Sequence, residues 1–277
     1  MKRLRATVAL LAEINRTASF LYTHNPADFI TGEESKLRLM ILKVYARFEV
    51  QLLKVFWFTF KTPLMKFDIT RKLLFYSLAK FMAEIAIAGQ PMTLEEAETF
   101  VRNMPEDSQV ALGPCRCRLA IGHRAGCSHP LMTDMVIATG APLWLDVFPD
   151  DYKVISRDEA VQVMRNARSK GLIQIVDRHL YYRGSANYFV LCNCCKEACL
   201  PVVGYRMFKR ERMKFIPSPS VVKHDVELCI GCGTCVELCP FEERALDSGK
   251  SVTFNCQGCG LCVTHCERQA LAMVERV

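Results

Sequence analysis

Two cysteine runs near the C-terminus constrain this chain more than any other feature: Cys229, Cys232, Cys235 and Cys239 followed by Pro240, then Cys256, Cys259, Cys262 and Cys266. Each run has the spacing that wraps a cubane iron–sulfur cluster. Three cysteines at i, i+3 and i+6 on a tight loop reach three corners of one cube, and the fourth corner has to come from a distant segment. That requirement ties two stretches of chain into one unit. Gly231, Gly233, Gly258 and Gly260 lie between the thiols, where the backbone must bend tightly and approach the sulfurs. Pro240 turns the chain away from the first loop.

Residues 225–272 resemble a bacterial-type ferredoxin domain with two [4Fe-4S] clusters. The resemblance implies one cluster on Cys229, Cys232, Cys235 and Cys266, and another on Cys256, Cys259, Cys262 and Cys239. A pair of structural zinc sites is the alternative, since Cys-x2-Cys pairs also bind zinc; such sites need two pairs, not two complete four-cysteine runs. Glu267 stands after Cys266 where the family usually has proline, a change in the turn that removes no ligand.

A chain of 277 residues, half of them hydrophobic, has room for two or three domains with real cores. Its fifteen cysteines would suggest disulfides in a secreted protein. The opening MKRLRATVALLAEINRT has only a short apolar run, broken by Glu13, so no signal peptide is expected. A reducing cytoplasm and metal-bound thiols are the expectation. From Val221 onward five Lys or Arg face eight Asp or Glu, a net of −3, while the rest of the chain carries +10. An acidic electron-transfer face beside a basic body suits docking and steering.

The first third, to about Asn103, has no cysteine and reads as helical. Leu37, Ile41, Val44, Phe48, Leu52 and Val55 recur at helical spacing, with Lys36, Lys43, Arg47 and Lys54 off that stripe. Pro63 ends or kinks this helix, and a second is expected over 71–88. Thr93-x-x-Glu96 is a capping box for a short helix towards Val101. Residues 36–80 hold ten Lys or Arg against Glu49 and Asp68, interleaved with Phe48, Phe56, Trp57, Phe58, Phe60, Phe67 and Phe75. No apolar stretch reaches the length of a membrane span. The stripe is read as a core face with a solvated basic flank; the alternative is an amphipathic helix on the inner face of the cell membrane or on a partner subunit. Nucleic-acid binding is not expected, because no motif for it appears.

The middle third carries Cys115-Arg116-Cys117-Arg118, then Gly126-Cys127-Ser128-His129-Pro130, and later Cys192-Asn193-Cys194-Cys195-x3-Cys199. Ser156-x-x-Glu159 caps a helix to about Ser169, with Gly171 as its stop. Leu172 to Val176 and Tyr188 to Leu191 read as strands around a turn at Arg183-Gly184-Ser185. They deliver Cys192 at a strand end, where it meets the Cys115 loop. Pro217-Ser218-Pro219-Ser220 reads as a linker. Arg206, Lys209, Arg210, Arg212 and Lys214 precede it as a basic patch, read as solvated, with docking of an acidic partner as the sharper alternative.

Seven middle-region cysteines bunched beside Asn193, Lys196 and Glu197 are unlike a core stripe. Soft thiolates select iron–sulfur clusters, zinc or cuprous copper. The constellation over residues 110–200 resembles a group of poorly characterised iron–sulfur proteins of anaerobes, in which this module also precedes a ferredoxin domain. That resemblance implies redox work. The reading is one further cubane cluster on Cys115, Cys117, Cys127 and at least one of Cys192, Cys194, Cys195 and Cys199. A second cluster would need an eighth ligand, which His129 supplies only if it is more than a loop residue. Arg116 and Arg118 are candidates to neutralise the anionic cluster.

The expected fold is α+β: a helical region over 1–105, a small mixed cysteine-rich module over 106–216, and a ferredoxin-like dicluster domain over 221–277. The expected function is single-electron relay, as a protein or subunit serving a redox partner or complex. No phosphate loop, dinucleotide fingerprint or nucleophile elbow appears. The alternatives are an oxidoreductase whose middle cluster is catalytic, and a redox sensor with exposed thiols such as Cys195 or Cys199.

Overall fold

The computed structural model describes residues 36–70, 87–138, 140–179, 188–208 and 215–276. The turn expected at Arg183-Gly184-Ser185, the patch from Lys209 to Lys214, and residues 71–86 of the second expected helix lie outside them. So does the N-terminal apolar run.

The long helix α1 (Lys36–Lys61) is followed by a 3-10 turn that Pro63 opens. Strand β1 (Ile87–Met92) comes next, where the helix was expected to reach Ala88. It then pairs with β5 (Ile173–His179), so its place is set by a partner some eighty residues away. Strands β2 (Val110–Pro114), β3 (Met132–Ala138), β4 (Lys153–Ile155) and β6 (Tyr188–Cys194) complete a six-stranded sheet of order β1-β5-β6-β3-β2-β4, antiparallel at every pairing.

Because side chains alternate along a strand, the sheet sorts its residues to two faces. Val110, Leu112, Met135, Ile137, Val176 and Leu191 meet α2 (Leu94–Arg102) and α5 (Arg157–Ser169) through Ala97, Val101, Ala160, Val161 and Met164. Both helices open on complete capping boxes, at Thr93/Glu96 and Ser156/Glu159, as the sequence predicts. Ala111, Val136 and Val190 face the other way, against Leu42 and Ala46 of α1 and Trp144 of α4 (Gly140–Val147).

Helix α1 turns a different face inward from the one expected. Leu37, Ile41, Val44, Phe48, Leu52 and Val55 are 39–64% exposed among the described residues. The buried row is Leu42, Ala46, Leu53, Phe56, Trp57 and Phe60. Its second half, Leu53, Phe56, Trp57 and Phe60, packs on Ala120 and Ile121 of α3 (Arg116–Ile121) and on Leu200 and Val203 of α6 (Leu200–Met207). The helix is apolar on two sides, and the inward side combines its bulkiest aromatics with Glu49, which pairs with buried Arg116. No helix of the described residues is long and apolar enough to cross a membrane.

The C-terminal segment pairs β7 (Ser220–His224) with β10 (Leu271–Glu275) and closes a hairpin of β8 (Arg244–Asp247) and β9 (Lys250–Thr253). Two short helices, α7 (Thr234–Glu237) and α8 (Leu261–Thr264), each start after a left-handed glycine, Gly233 or Gly260. The stretch read as a linker is instead packed down: Ser218 is fully buried. Its hydroxyl donates to Glu96 at 3.0 Å, that of Ser220 does so at 2.6 Å, and Gln90 donates to the Pro217 carbonyl at 3.2 Å. Glu96 retains acceptor capacity beyond its cap bond, and this is what holds the serines.

Candidate metal centres

The C-terminal thiols line two separate cavities. One, of about 100 Å³, has Cys229, Cys232, Cys235 and Cys266 on its walls; the other, of about 20 Å³, has Cys239, Cys256, Cys259 and Cys262. Each cavity therefore draws three cysteines from one run and one from the other. The outer group is the more open, with Cys232 exposed, whereas Cys259 and Cys262 are buried.

Local chemistry differs accordingly. Backbone N–H groups hold the Cys229 thiol below its ordinary pKa, and the Thr234 hydroxyl and backbone do the same for Cys232. Burial dominates the inner group, pushing Cys259 well up and Cys262 to about 12, against the pull of Arg168 and Arg244 respectively. Arg244 donates to Ser251, which also accepts from Cys235 at 3.2 Å, so this cation stands between the two groups. Arg168 Nε and Arg244 Nη1 are buried without a hydrogen-bond partner. Thiols converging from loops, with uncompensated cations beside them, fit anionic thiolate-bound iron–sulfur groups.

The middle cysteines gather on the α1-facing side of the sheet. Strand β6 sends Cys192, Cys194 and Val190 to that face, Asp134 sits opposite Cys192 on β3, and Asp177 sits opposite Val190 on β5. They join Cys115, Cys117, Cys195 and Cys199 around a chamber of about 40 Å³, with Glu49, Leu53, Arg116, Arg118 and Trp144 also in its wall. Thiols of Cys117 and Cys194 hydrogen-bond to Cys199 and hold it well below the ordinary thiol pKa. Desolvation pushes Cys115 up to about 11, with Arg118 pulling the other way.

The two candidate arginines part company. Arg116 is taken up by Glu49 at 3.1 Å and the Ala46 carbonyl at 3.2 Å, and its guanidinium lies over Phe148 at 4.3 Å. Arg118 donates to Thr133 and, at 3.0 Å, to the Asn193 carbonyl, while its Nε and Nη1 are buried with no partner. Those spare donors belong to a cation that interacts electrostatically with the thiols of Cys115, Cys195, Cys194 and Cys127. An anion held by the chamber thiols would satisfy them, which is the fit an iron–sulfur cluster requires. Cys127 is not in the chamber wall; its sulfur lies 3.5 Å from that of Cys195, and His129 accompanies it.

Glu49, Asp177 and Arg168 are site residues that sequence reasoning passed over, and Asp134 entered it only as a neighbour of the substrate pocket in the catalytic alternative. Burial raises Glu49 to about 7 despite Arg116, and Asp134 to about 6 despite a 2.9 Å hydrogen bond from Tyr152. The available signal was a charged residue inside an otherwise apolar periodic stretch, as at Asp134 in Met132–Ala138.

Residues 221–267 match the family of 4Fe-4S dicluster domains. The C-terminal segment thus carries a cluster-binding domain, which supports iron–sulfur electron transfer. No curated protein and no solved structure matches the chain.

Proposed function

We propose that the chain is a single-electron relay with three iron–sulfur centres arranged from surface to interior. Cys229, Cys232, Cys235 and Cys266 would hold the outermost [4Fe-4S] cluster, and Cys239, Cys256, Cys259 and Cys262 the next. Four thiols drawn from Cys115, Cys117, Cys192, Cys194 and Cys199 would hold a third. Such clusters supply one-electron exchange without proton bookkeeping by the protein. The chain supplies thiolates, excludes water, and places Arg168, Arg244 and Arg118 where each stabilises added negative charge.

One observation carries this reading. Cys194 and Cys199 of the chamber and Cys259 of the dicluster domain lie in one apolar core, with Ile173, Ile175, Val202, Phe241 and Leu261. Inner and middle thiols therefore share a dry, closely packed environment, which short-range electron transfer needs.

Anaerobic reconstitution with iron and sulfide quantitation, coupled to a redox titration followed by EPR, is the test. About twelve iron atoms per chain support three cubanes, and about eight remove the chamber cluster. A redox partner protein or complex subunit, docking near exposed Cys232, completes the proposal.

A further inference from the structure

Behind the chamber wall lies a constellation of mixed donors. The 3-10 turn Gly122–Ala125 is closed by left-handed Gly126, and the Cys127 N–H then returns to the Gly122 carbonyl at 2.9 Å. This fixes where Cys127-Ser128-His129 begins. Opposite it, β6 ends at Cys194 and the turn Cys195-Lys196-Glu197 leads to α6, with the Ala198 N–H donating to the Cys195 sulfur at 3.4 Å. Two rigid turns thus face each other, one offering Cys-x-His and the other Cys-x-Glu.

Their ligand atoms converge. Cys127 and Cys195 sulfurs are 3.5 Å apart, and His129 Nε2 is 3.7 Å from Glu197 Oε2. The sulfur of Cys127, a ring nitrogen of His129 and a carboxylate oxygen of Glu197 all lie within 4.8 Å of one another. Glu197 Oε2 is buried with no hydrogen-bond partner, a cost that a bound cation removes. In a tetrahedral zinc site, bonds of about 2.0–2.3 Å space the ligand atoms about 3.3–3.8 Å apart, the separation of both measured pairs.

We propose that Cys127, Cys195, His129 and Glu197 hold a single zinc ion, distinct from any iron–sulfur cluster in the chamber. The donor set decides the metal class. Two sulfurs with one nitrogen and one oxygen suit a borderline ion without geometric preference of its own, whereas a cubane corner is best served by thiolate. The ion clips the Gly126 turn to the turn that leads into α6. This assignment needs no cluster in the chamber, so it stands or falls independently of the relay.

The test is metal analysis of the full chain isolated anaerobically, with zinc K-edge X-ray absorption on the same sample. The expected result is about one zinc per chain in a shell of two sulfur and two nitrogen or oxygen donors. His129→Ala and Glu197→Gln should each lower bound zinc severalfold and leave iron unchanged. Absence of zinc, a shell of four sulfurs, a Cys127–Cys195 disulfide on mass mapping, or iron loss in His129→Ala would each overturn the assignment. If a variant fails to fold, the absorption spectrum of the unaltered protein still decides.

Discussion

Arg168, in the last turn of α5, donates to the backbone carbonyl of Cys259 at 2.8 Å, joining the sheet-covering helix to the inner thiol group. The same guanidinium donates to Gln174 Oε1 at 2.5 Å, Gln174 donates to Asn193 Oδ1 at 2.8 Å, and Arg118 donates to the Asn193 carbonyl. A buried polar thread therefore runs from the dicluster domain to the cation beside the chamber thiols. In a low-dielectric interior such a thread is strong when complete and costly when broken.

Arg168→Met keeps the bulk of the side chain and removes its charge beside Cys259 and Cys262. A positive charge stabilises the reduced, more negative cluster, so its loss lowers one midpoint potential. A shift on the order of tens of millivolts is expected, since about 59 mV is tenfold for a one-electron couple. A redox titration followed by EPR should show one couple displaced and the others in place. An unmoved set of potentials would remove Arg168 from this role.

Arg118→Met addresses the chamber in the same way. With the two spare donors gone, the chamber thiols lose the cation that draws them towards thiolate. Iron content should drop by about four atoms per chain, leaving the dicluster signals intact. Arg124→Met is the control, because Arg124 lies over Phe58 at 5.0 Å on the surface. Retention of full iron in Arg118→Met would count against a chamber cluster stabilised by this residue.

Gly231→Ala and Gly171→Ala separate strain from crowding. Both glycines are left-handed, with φ of 71° and 82°. A Cβ on Gly231 would overlap the Gly249 carbonyl oxygen, whereas one on Gly171 meets open space. Gly171→Ala should cost about 1 kcal/mol through backbone strain alone. Gly231→Ala should in addition displace the Cys229–Cys235 loop and lose the outer cluster's EPR signal, at unchanged inner signals.

How far the chain could be understood before folding follows from the range of the forces involved. Capping boxes at Thr93 and Ser156 and the glycine-punctuated thiol runs are local, and they stand where sequence puts them. The inward face of α1 was not readable, because two apolar stripes compete and Glu49 finds Arg116 only in three dimensions. Nor was the sheet register, which sets Asp134 opposite Cys192 and gathers carboxylates and thiols on one face. Ser218 looked like linker because its binding partner, Glu96, lies 122 positions away.

Tyr205→Phe tests whether the dicluster domain and the sheet behave as one unit. The Tyr205 ring sits between Phe215 and Phe241, at 5.7 and 5.5 Å, and phenylalanine keeps that packing. Its hydroxyl donates to Glu243 Oε1 at 2.6 Å and accepts from Gln257 at 3.2 Å, so removing it deprives a buried carboxylate and a buried amide of a partner each. The expected cost is about 1–3 kcal/mol in equilibrium unfolding. It should fall unevenly: amides of 221–276 should exchange faster while those of β3, β5 and β6 hold their protection, since the lost bonds lie at the seam and not in the sheet. Equal acceleration in both regions would mean that the seam is no weaker than the sheet, and that the inner and middle thiols are held in one cooperative block.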